Sequence, residues 1–270
     1  MTDLMFADVV VATALSAAET AAEAAGVHVR EVAGVSEQAA VVDLLSRIWG
    51  RGPDNPTVPP ELLRALGKAG NYIAGAFAGD ELVGATIGFH SAPDRHALHS
   101  HIAGVAASHI GRSVGFAMKL HQRGWALSRG IDAIEWTFDP LVSRNAYFNI
   151  VKLHALPVEY LTNFYGAMSD AINSDGETDR MLVRWELRED DVADAAAGHP
   201  PAVSADFPRQ VTVAVPADIQ ALRETDVEAA RAWRRTLREQ LTTHLDSGGK
   251  VVGFDRTEGY IIRLGEGNTV

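Results

Sequence analysis

Apolar and polar residues alternate along three closely spaced segments in the first half of the chain. The segments cover residues 71–79, 81–91 and 97–107, and short polar turns join them. Alternation with this period is typical of half-buried strands, and short turns join antiparallel neighbours. The pattern therefore predicts an antiparallel meander.

Helical spacing of apolar residues is found before and after the meander. Predicted helices cover residues 5–26, 36–49, 61–70, 114–129 and 143–152. Further predicted strands cover residues 27–34, 133–139 and 180–188. Gly26 is the expected stop of the first helix, and Ser143 is the expected N-cap of the last. The apolar face predicted for the helix over 114–129 is formed by Val114, Ala117, Met118, His121 and Trp125.

The composition changes after residue 189. Residues 190–208 are rich in proline, glycine and small residues, which favours a surface linker. A strand, a helix and two strands are predicted beyond it, with Thr225 and Glu228 as a capping box and Gly248-Gly249 as the helix stop. The expected division of the chain is an N-terminal helix (1–26), a core (27–189), the linker (190–208) and a C-terminal extension (209–270).

Charge and cysteine content exclude several classes of function. The chain has 24 Lys and Arg against 35 Asp and Glu, a net charge of −11, which argues against bulk nucleic-acid binding. The absence of cysteine excludes disulfides, Cys-ligated metal and a thiol nucleophile, and fits a cytoplasmic location. No apolar run is long enough to predict a membrane span, so we expect no membrane partner.

A glycine-containing loop between a strand and a helix is the main candidate for ligand chemistry. It lies in residues 105–130, where Gly111 and Gly115 precede or open the predicted helix and Arg112 supplies a positive charge. Free backbone N–H groups and the helix dipole make such a start suitable for phosphate. The spacing matches neither a Walker loop nor a dinucleotide fingerprint, and an ordinary strand-to-helix turn is the alternative.

The sequence resembles the GNAT N-acyltransferases, in a subgroup with a C-terminal extension. The segments that carry the resemblance are HSHIAGV (99–105), GRSVGFAMKLHQRGWAL (111–127), WTFDPLVSRNAYFNIVKLHA (136–155), EYLTNFYG (159–166), TDRMLVRW (178–185) and the helix within 216–239. The resemblance implies an α/β (α+β) fold: a mixed, mostly antiparallel sheet with a splayed parallel strand pair, flanked by helices, plus a small α/β extension.

The resemblance also implies a reaction and a co-substrate. GNAT enzymes transfer an acyl group directly from acyl-CoA to an amine, so we expect acetyl-CoA or another short acyl-CoA, a small-molecule amine acceptor and no metal. The residues implied to bind CoA are Gly104, Val105, Gly111, Arg112, Ser113, Val114, Gly115, Phe116, Ala117 and Asn145. The family's loop motif falls either on Ile110, Ser113 and Gly115 or on Arg112, Gly115 and Ala117.

Transfer to an ammonium group needs a base and an acid. His99, His101 and Glu135 are the candidate bases, and the alternative for each is an exposed or structural role. Ile150 stands where many GNAT enzymes have a tyrosine that acts as the general acid. Tyr165 is therefore the candidate acid in this chain. Tyr147 and Tyr160 are the fallbacks.

Charged residues further along the chain are candidates for binding the acceptor. Arg144 and Arg180 are the predicted substrate residues, and loops such as 50–60 and 164–180 are expected to form the acceptor site. A solvated helix face is the default interpretation of Arg231, Arg234, Arg235 and Arg238, and carboxylate binding is the alternative. Succinyl transfer to an amino acid is one version of the reaction that these arginines favour.

Two other functions remain open at this level. A GNAT-fold module that binds acyl-CoA or a protein without catalysis is the first, motivated by Ser113 and Ile150. A His-ligated metalloenzyme is the second, since His90, His96, His99, His101 and His109 lie close together in sequence. A homodimer is also expected from the N-terminal helix and the extension.

Overall fold

The computed structural model describes residues 2–166, 177–202 and 209–265, with side chains from residue 9 onward. The chain divides into two compact units. The first comprises Met1–Glu135 with Glu186–Arg188, and the second comprises Trp136–Trp185 with Glu189–Val270. Parts of the predicted linker (203–208), of the acceptor loop (167–176) and of the extension (266–270) lie outside the described residues.

The first unit contains the predicted meander and the helices around it. Its helices are α1 (Thr2–Ala24), α2 (Val35–Ile48), α3 (Pro60–Lys68) and α4 (Val114–Leu127). Its strands are β1 (His28–Glu31), β2 (Tyr72–Ala78), β3 (Glu81–His90), β4 (Ala97–Val105) and the start of β5 (Ala133–Phe138). These bounds confirm the elements predicted for this half of the chain. Gly26, at φ 67°, follows α1 as predicted.

The strands of the first unit follow the order β1-β2-β3-β4-β5. The neighbours from β1 to β4 are antiparallel, and β4 and β5 are parallel. The sheet is therefore mixed and mostly antiparallel, as predicted. Polar turns join β2 to β3 and β3 to β4, so the chain reverses between successive strands.

Apolar side chains bury both faces of this sheet. Helices α2 and α3 contribute to a cluster that includes Leu45, Leu63 and Ile87 on one face. Helices α1 and α4 contribute to a second cluster, which includes the predicted α4 residues Val114, Ala117 and Met118. The other members of the predicted α4 face are also sheltered: Trp125 is buried, and His121 Nδ1 lies 2.7 Å from the Tyr72 hydroxyl.

The second unit contains the rest of β5 and the C-terminal extension. Its helices are α5 (Ser143–Ala146), a π-helical turn (Tyr147–Lys152), α6 (Asp190–Ala196), α7 (Ile219–Thr225) and α8 (Val227–Asp246). Its strands are β6 (Leu156–Leu161), β7 (Arg180–Glu186), β8 (Gln210–Val213), β9 (Lys250–Asp255) and β10 (Gly259–Arg263). The order β5-β7-β6 continues from β5, and β8-β10-β9 is a separate antiparallel sheet.

Several local predictions need correction in the second unit. Val142, not Ser143, is the N-cap residue of α5, and no side chain caps this helix. Asp226, not Thr225, caps α8, because its carboxylate accepts from the Ala229 N–H at 3.0 Å. Strand β6 was not predicted, and α6 lies within the segment interpreted as a linker.

Among the described residues, none of the helices is both long enough and apolar enough to cross a bilayer.

Candidate active site

The parallel pair of β4 and β5 is short. Only Ala97, Leu98 and His99 of β4 pair with β5, opposite Ala133–Glu135. Strand β4 continues to Val105 and pairs with β3 over this length. A mixed sheet with a parallel pair that separates in this way has the arrangement implied by the sequence resemblance. This is the GNAT fold.

The separation leaves backbone groups of β4 on an open edge. Ala106 N–H donates to Val83 O at 2.8 Å, so residue 106 points towards β3. Backbone groups alternate in direction along an antiparallel strand, which turns the N–H and C=O groups of Val105 and Ala103 towards the opposite edge. Gly104 and Val105 are both among the residues implied to bind CoA. The backbone of Val105 lies on the open edge, whereas the backbone of Gly104 faces β3.

Gly104 has a packing role. A Cβ built on Gly104 would lie 2.9 Å from Ile48 Cδ1 and 2.8 Å from Trp49 Cζ3. These side chains belong to the end of α2, which crosses the sheet closely at this point. The glycine is thus explained by helix-to-sheet packing, without a ligand.

A register shift places an extra residue on β4 next to the splay. Ile87 pairs with Ile102 and Gly88 pairs with Ser100, so His101 lies between the paired residues. Such a bulge reverses the side-chain alternation that follows it. Ser100 faces α4, where Lys119 Nζ donates to its hydroxyl at 2.9 Å, whereas Ile102 packs with the α2 and α3 cluster.

Both predicted histidines belong to one cluster of rings beside the bulge. The His99 and His101 rings lie 4.9 and 5.6 Å from the Phe89 ring, and 6.1 Å from each other. His101 is exposed and His99 is half-buried. The neighbouring Phe89 and His99 rings shield one side of the His101 ring from water, and this desolvation lowers the pKa of His101, so both imidazoles favour the neutral form that accepts a proton.

Glu135 is the cross-strand partner of His99. It is buried, and its Oε1 accepts from Arg95 Nη2 at 3.0 Å. Burial lowers the pKa of His99 to about 4, with the neighbouring His101 acting in the same direction and Glu135 opposing it. The Glu135 carboxylate therefore favours the protonated form of His99. Because Glu135 is already bound to Arg95, it is less suited than His101 to act as the base.

The predicted phosphate loop has a left-handed backbone at two positions. Gly111 has φ 85° and Ser113, which precedes α4, has φ 62°. Ser113 thus stands in a conformation that favours glycine, and in one of the two possible registers of the loop motif it takes the place of a glycine. The side chains of Arg112 and Ser113 are exposed, and so is Gly111.

The start of α4 offers N–H groups beside open space. The first N–H groups of any helix have no partner within the helix. A Cβ built on Gly115 would meet only Val105 Cγ2, at 4.0 Å. Val114 and Ala117 point into the core and Phe116 is half-buried, so these three predicted residues offer their backbone more than their side chains.

The predicted acid, Tyr165, lies in the second unit on a turn after β6. Its ring is 41% exposed, and its hydroxyl lies 3.2 Å from Thr137 Oγ1. The Arg180 guanidinium lies 5.3 Å from the ring centroid. Arg180 is buried and donates to the Asp179 carbonyl at 2.9 Å, which favours a structural role for this predicted substrate residue.

The fallback tyrosines have other partners. The Tyr160 hydroxyl donates to Asp179 Oδ2 at 2.6 Å, and burial together with this bond raises the pKa of Tyr160. The Arg256 guanidinium lies 4.0 Å from the Tyr147 ring centroid. Ile150 is buried, so the structure offers no acid at that position.

Arg144 and Asn145 lie at the start of the helical segment after β5. Arg144 is exposed and Asn145 is half-buried. Arg144 borders a surface cleft of about 210 Å³, lined also by Val142, Ser143 and residues 217–220. The predicted substrate role of Arg144 and the predicted cofactor role of Asn145 remain predictions.

A buried charge cluster in the second unit was missed by the sequence analysis. Asp139 Oδ2 accepts from Arg223 Nη2 at 2.6 Å and from Arg234 Nη2 at 3.2 Å, and all three side chains are buried. Arg238 donates to both oxygens of Asp179. The solvated-face interpretation was therefore wrong for Arg234 and Arg238. In the sequence, the only indication of this burial was that Arg234 and Arg238 lie at helical spacing next to the apolar residues Leu237 and Leu241.

In the part of the chain that the structure describes, no three His, Asp or Glu side chains come together in a group suited to a metal ion.

No protein-family model and no curated protein match the chain. Among similar solved structures is the ribosomal-protein-S18-alanine N-acetyltransferase from Escherichia coli, with 10% identity over 60% of this chain and 95% of that chain, TM-score 0.49. Another is an N-acetyltransferase from Staphylococcus aureus Mu50, with 14% identity over 60% of this chain and 99% of that one, TM-score 0.49. An aminoglycoside 6'-acetyltransferase type Ii has 17% identity over 60% and 98%, TM-score 0.48. The strand order and the splayed pair of β4 and β5 define the fold of this chain.

Proposed function

We propose that the protein is an acyl-CoA-dependent acyltransferase that moves a short acyl group, acetyl or succinyl, directly to the amine of a small molecule. One observation carries this proposal. Within the first unit, the open edge of β4 ends at Val105 and leads through the loop of Gly111 and Ser113 to the start of α4. The open edge of β4 is suited to the amide-bearing pantetheine arm of CoA, and the loop with the start of α4 is suited to the pyrophosphate.

The backbone is proposed to bind the co-substrate. N–H and C=O groups of Ala103 and Val105 would pair with the pantetheine amides as an added strand does. N–H groups at the start of α4 would donate to the pyrophosphate oxygens, and Arg112 would add a charge-assisted contact. Gly115 leaves room for the phosphate to approach the backbone.

The histidine at the bulge is proposed as the base. A lone pair on the neutral acceptor nitrogen forms the C–N bond to the thioester carbonyl as the C–S bond breaks. His101, exposed and favouring its neutral form, would accept the proton that the ammonium loses, directly or through water. Tyr165 would donate a proton to the leaving thiolate and regain one from the acylated nitrogen, directly or through water, so that both protons lost by the ammonium are accounted for.

Release of CoA thiol tests the transfer directly. The chain has no cysteine, so a thiol reagent such as DTNB detects only the CoA that is released. The wild-type protein with acetyl-CoA or succinyl-CoA and a panel of amines, amino acids included, is expected to release CoA in step with an acylated amine. His101→Gln should lower kcat by about a hundredfold, in the range for general bases. His90→Gln, an exposed histidine on β3, is the matched control and should keep wild-type kcat.

The buried Ile150 favours a second candidate, a module that binds acyl-CoA without transferring the acyl group. Such a module would bind the thioesters and release no CoA above the rate without protein. Full activity of His101→Gln would remove the proposed base while leaving the transfer reaction in place.

A further inference from the structure

The turn that carries Tyr165 is held by two buried residues. Asn163 N–H donates to Asp179 Oδ1 at 2.9 Å, Phe164 N–H donates to the Thr178 carbonyl at 3.0 Å, and Tyr165 N–H donates to Thr178 Oγ1 at 3.0 Å. Thr178 and Asp179 are at most 1% exposed. Three successive N–H groups of the turn therefore depend on the Thr178-Asp179 pair, and the backbone of Tyr165 follows the position of that pair.

The same contacts fix an unusual backbone in the turn. Asn163 has φ 47°, which is uncommon for a residue other than glycine. Its side-chain Oδ1 accepts from the Thr178 N–H at 3.1 Å, and Thr178 Oγ1 donates to the Gly166 carbonyl at 2.8 Å. The conformation is thus maintained by bonds to Thr178 and Asp179 on the approach to β7.

Asp179 is in turn held by a side chain from the C-terminal extension. Arg238 donates from Nε to Asp179 Oδ2 at 2.8 Å and from Nη2 to Oδ1 at 2.7 Å. This is the two-pronged geometry that only arginine provides for a carboxylate. Burial acts to raise the pKa of Asp179, but hydrogen bonds from Arg238, Tyr160 and Asn163 outweigh burial and hold the pKa below its ordinary value.

The position of Arg238 is fixed by its helix. Its neighbour Leu237 and the following Leu241 are buried, so α8 presents one defined face at this point. Arg238 also pairs with Glu177, just before the Thr178-Asp179 pair. The chain from α8 to the turn is therefore continuous: helix core, Arg238, Asp179 and then the backbone of the turn.

The hydrogen-bond partner of Tyr165 is linked to the extension as well. The Tyr165 hydroxyl contacts Thr137, which lies two residues before the buried Asp139. Asp139 pairs with Arg223 of α7, and the Tyr260 hydroxyl of β10 donates to the Pro140 carbonyl at 2.7 Å. Both ends of the contact between Tyr165 and Thr137 are thus attached to the extension.

We propose that Arg238 of the C-terminal extension is a positioning residue for Tyr165, acting through Asp179 and the turn of residues 162–166. This inference rests on the proposed function, in which Tyr165 is the general acid. It gives the extension a part in the reaction: the extension holds the acid in place.

A double-mutant cycle tests whether Arg238 acts through Tyr165. Arg238→Gln is expected to lower kcat about tenfold, with an unchanged KM for acetyl-CoA, because misplacement of an acid affects the chemical step. In the Tyr165→Phe background, Arg238→Gln should cause no further loss of kcat. Arg238→Lys, which keeps the charge and loses the two-pronged geometry, should fall between wild type and Arg238→Gln. An equal loss of kcat from Arg238→Gln in both backgrounds overturns the proposal.

Arg235→Gln is the matched control for the cycle. Arg235 is exposed on the same helix, and the substitution makes the same change of charge. Wild-type kcat is expected for this variant. A loss equal to that of Arg238→Gln would assign the effect to the charge of α8 and would overturn the positioning role.

Amide hydrogen exchange separates this inference from the proposed function. In the full-length protein, Arg238→Gln should speed exchange in residues 162–166 about tenfold relative to wild type and Arg235→Gln, as expected for a lost charge-assisted bond. This readout needs no substrate. Unchanged exchange overturns the positioning of the turn even if the enzyme is active. A wild-type protein that releases no CoA, together with faster exchange in Arg238→Gln, overturns the proposed function and supports the structural link.

Discussion

His99 and Glu135 are the last cross-strand partners of the parallel pair between β4 and β5. Two titratable side chains therefore meet where the pairing between these strands ends. Arg95 binds Glu135, and the Phe89 ring contacts His99 and continues to His101. The open backbone edge of β4 thus begins beside a cluster of proton-accepting groups.

The depressed pKa of His99 makes stability depend on pH. In the folded protein the pKa is about 4, against 6.5 for an ordinary histidine, chiefly because of burial. As the pH falls from 6.5 to 4, the unfolded chain takes up this proton first, so the free energy of unfolding decreases; above pH 6.5 the site has no effect. The decrease is on the order of 2 kcal/mol, and His99→Gln should remove it.

Urea unfolding at pH 7.5 and pH 4.5 measures this difference. The loss of stability between the two pH values should be smaller for His99→Gln than for wild type. His90→Gln, at an exposed position, should behave as wild type. A wild-type pH dependence in His99→Gln would contradict the half-buried, neutral imidazole.

Gly115→Ala should change stability and ligand binding in opposite directions. Alanine is favoured over glycine in helices by up to about 1 kcal/mol, and there is room for its Cβ, so the melting temperature should rise. The same Cβ would occupy the space through which a phosphate approaches the backbone, so the affinity for acetyl-CoA should fall about tenfold or more. Thermal melting and calorimetry measure the two effects.

Gly124→Ala on the same helix is the control. Its Cβ would lie 2.9 Å from Leu15 Cδ2, which must move, so this variant should gain less stability than Gly115→Ala and keep its affinity for acetyl-CoA. Wild-type affinity in Gly115→Ala would show that the start of α4 is not the phosphate site.

Ser113→Gly should stabilise the protein. Ser113 has φ 62°, and glycine adopts this conformation without the steric cost of a Cβ, a gain of up to about 1 kcal/mol. Chemical denaturation measures the change. Ser128→Gly, at φ −65°, is the matched substitution in an ordinary conformation and should destabilise. Equal destabilisation by both would argue against the left-handed backbone at Ser113.

Asp139→Asn should be strongly destabilising. Arg223 and Arg234 are buried against this carboxylate, and removal of one charge from a buried cluster typically costs about 3 kcal/mol or more. Asp132→Asn removes a surface pair with Arg188 and should cost less than about 1 kcal/mol. Similar unfolding free energies for the two variants would contradict the buried placement of Asp139.

The fold of the first unit was largely predictable because its signals are local. Alternation and short turns define the meander, and helical spacing with Gly26 defines α1. Strand β6 was missed because Pro157 within a short run lowers its strand signal. The structure accommodates this proline because β6 is an edge strand. Helix α6 was missed because its small residues resemble a linker, although Val192 and Ala195 are buried.

The candidate site was predictable only in part. The spacing of His99 and His101 indicated a shared face, whereas their contact with Phe89 and the bulge at His101 depend on the register of β4 with β3. The bond of Arg234 to Asp139 joins residues that are 95 positions apart in sequence, and the bonds of Arg238 to Asp179 join residues that are 59 positions apart. Whether the arginines of α8 face solvent or bind buried carboxylates depends on such long-range contacts. The sequence of α8 alone does not predict them.

Binding of acyl-CoA to the wild-type protein tests the central claim most directly. Calorimetry and thermal shift with acetyl-CoA, succinyl-CoA and longer thioesters measure it before any acceptor is known. We predict micromolar binding of at least one thioester and a raised melting temperature, since a ligand that binds the native state stabilises it. A folded protein that binds none of them would contradict the assignment of the β4 edge and the α4 start to the co-substrate.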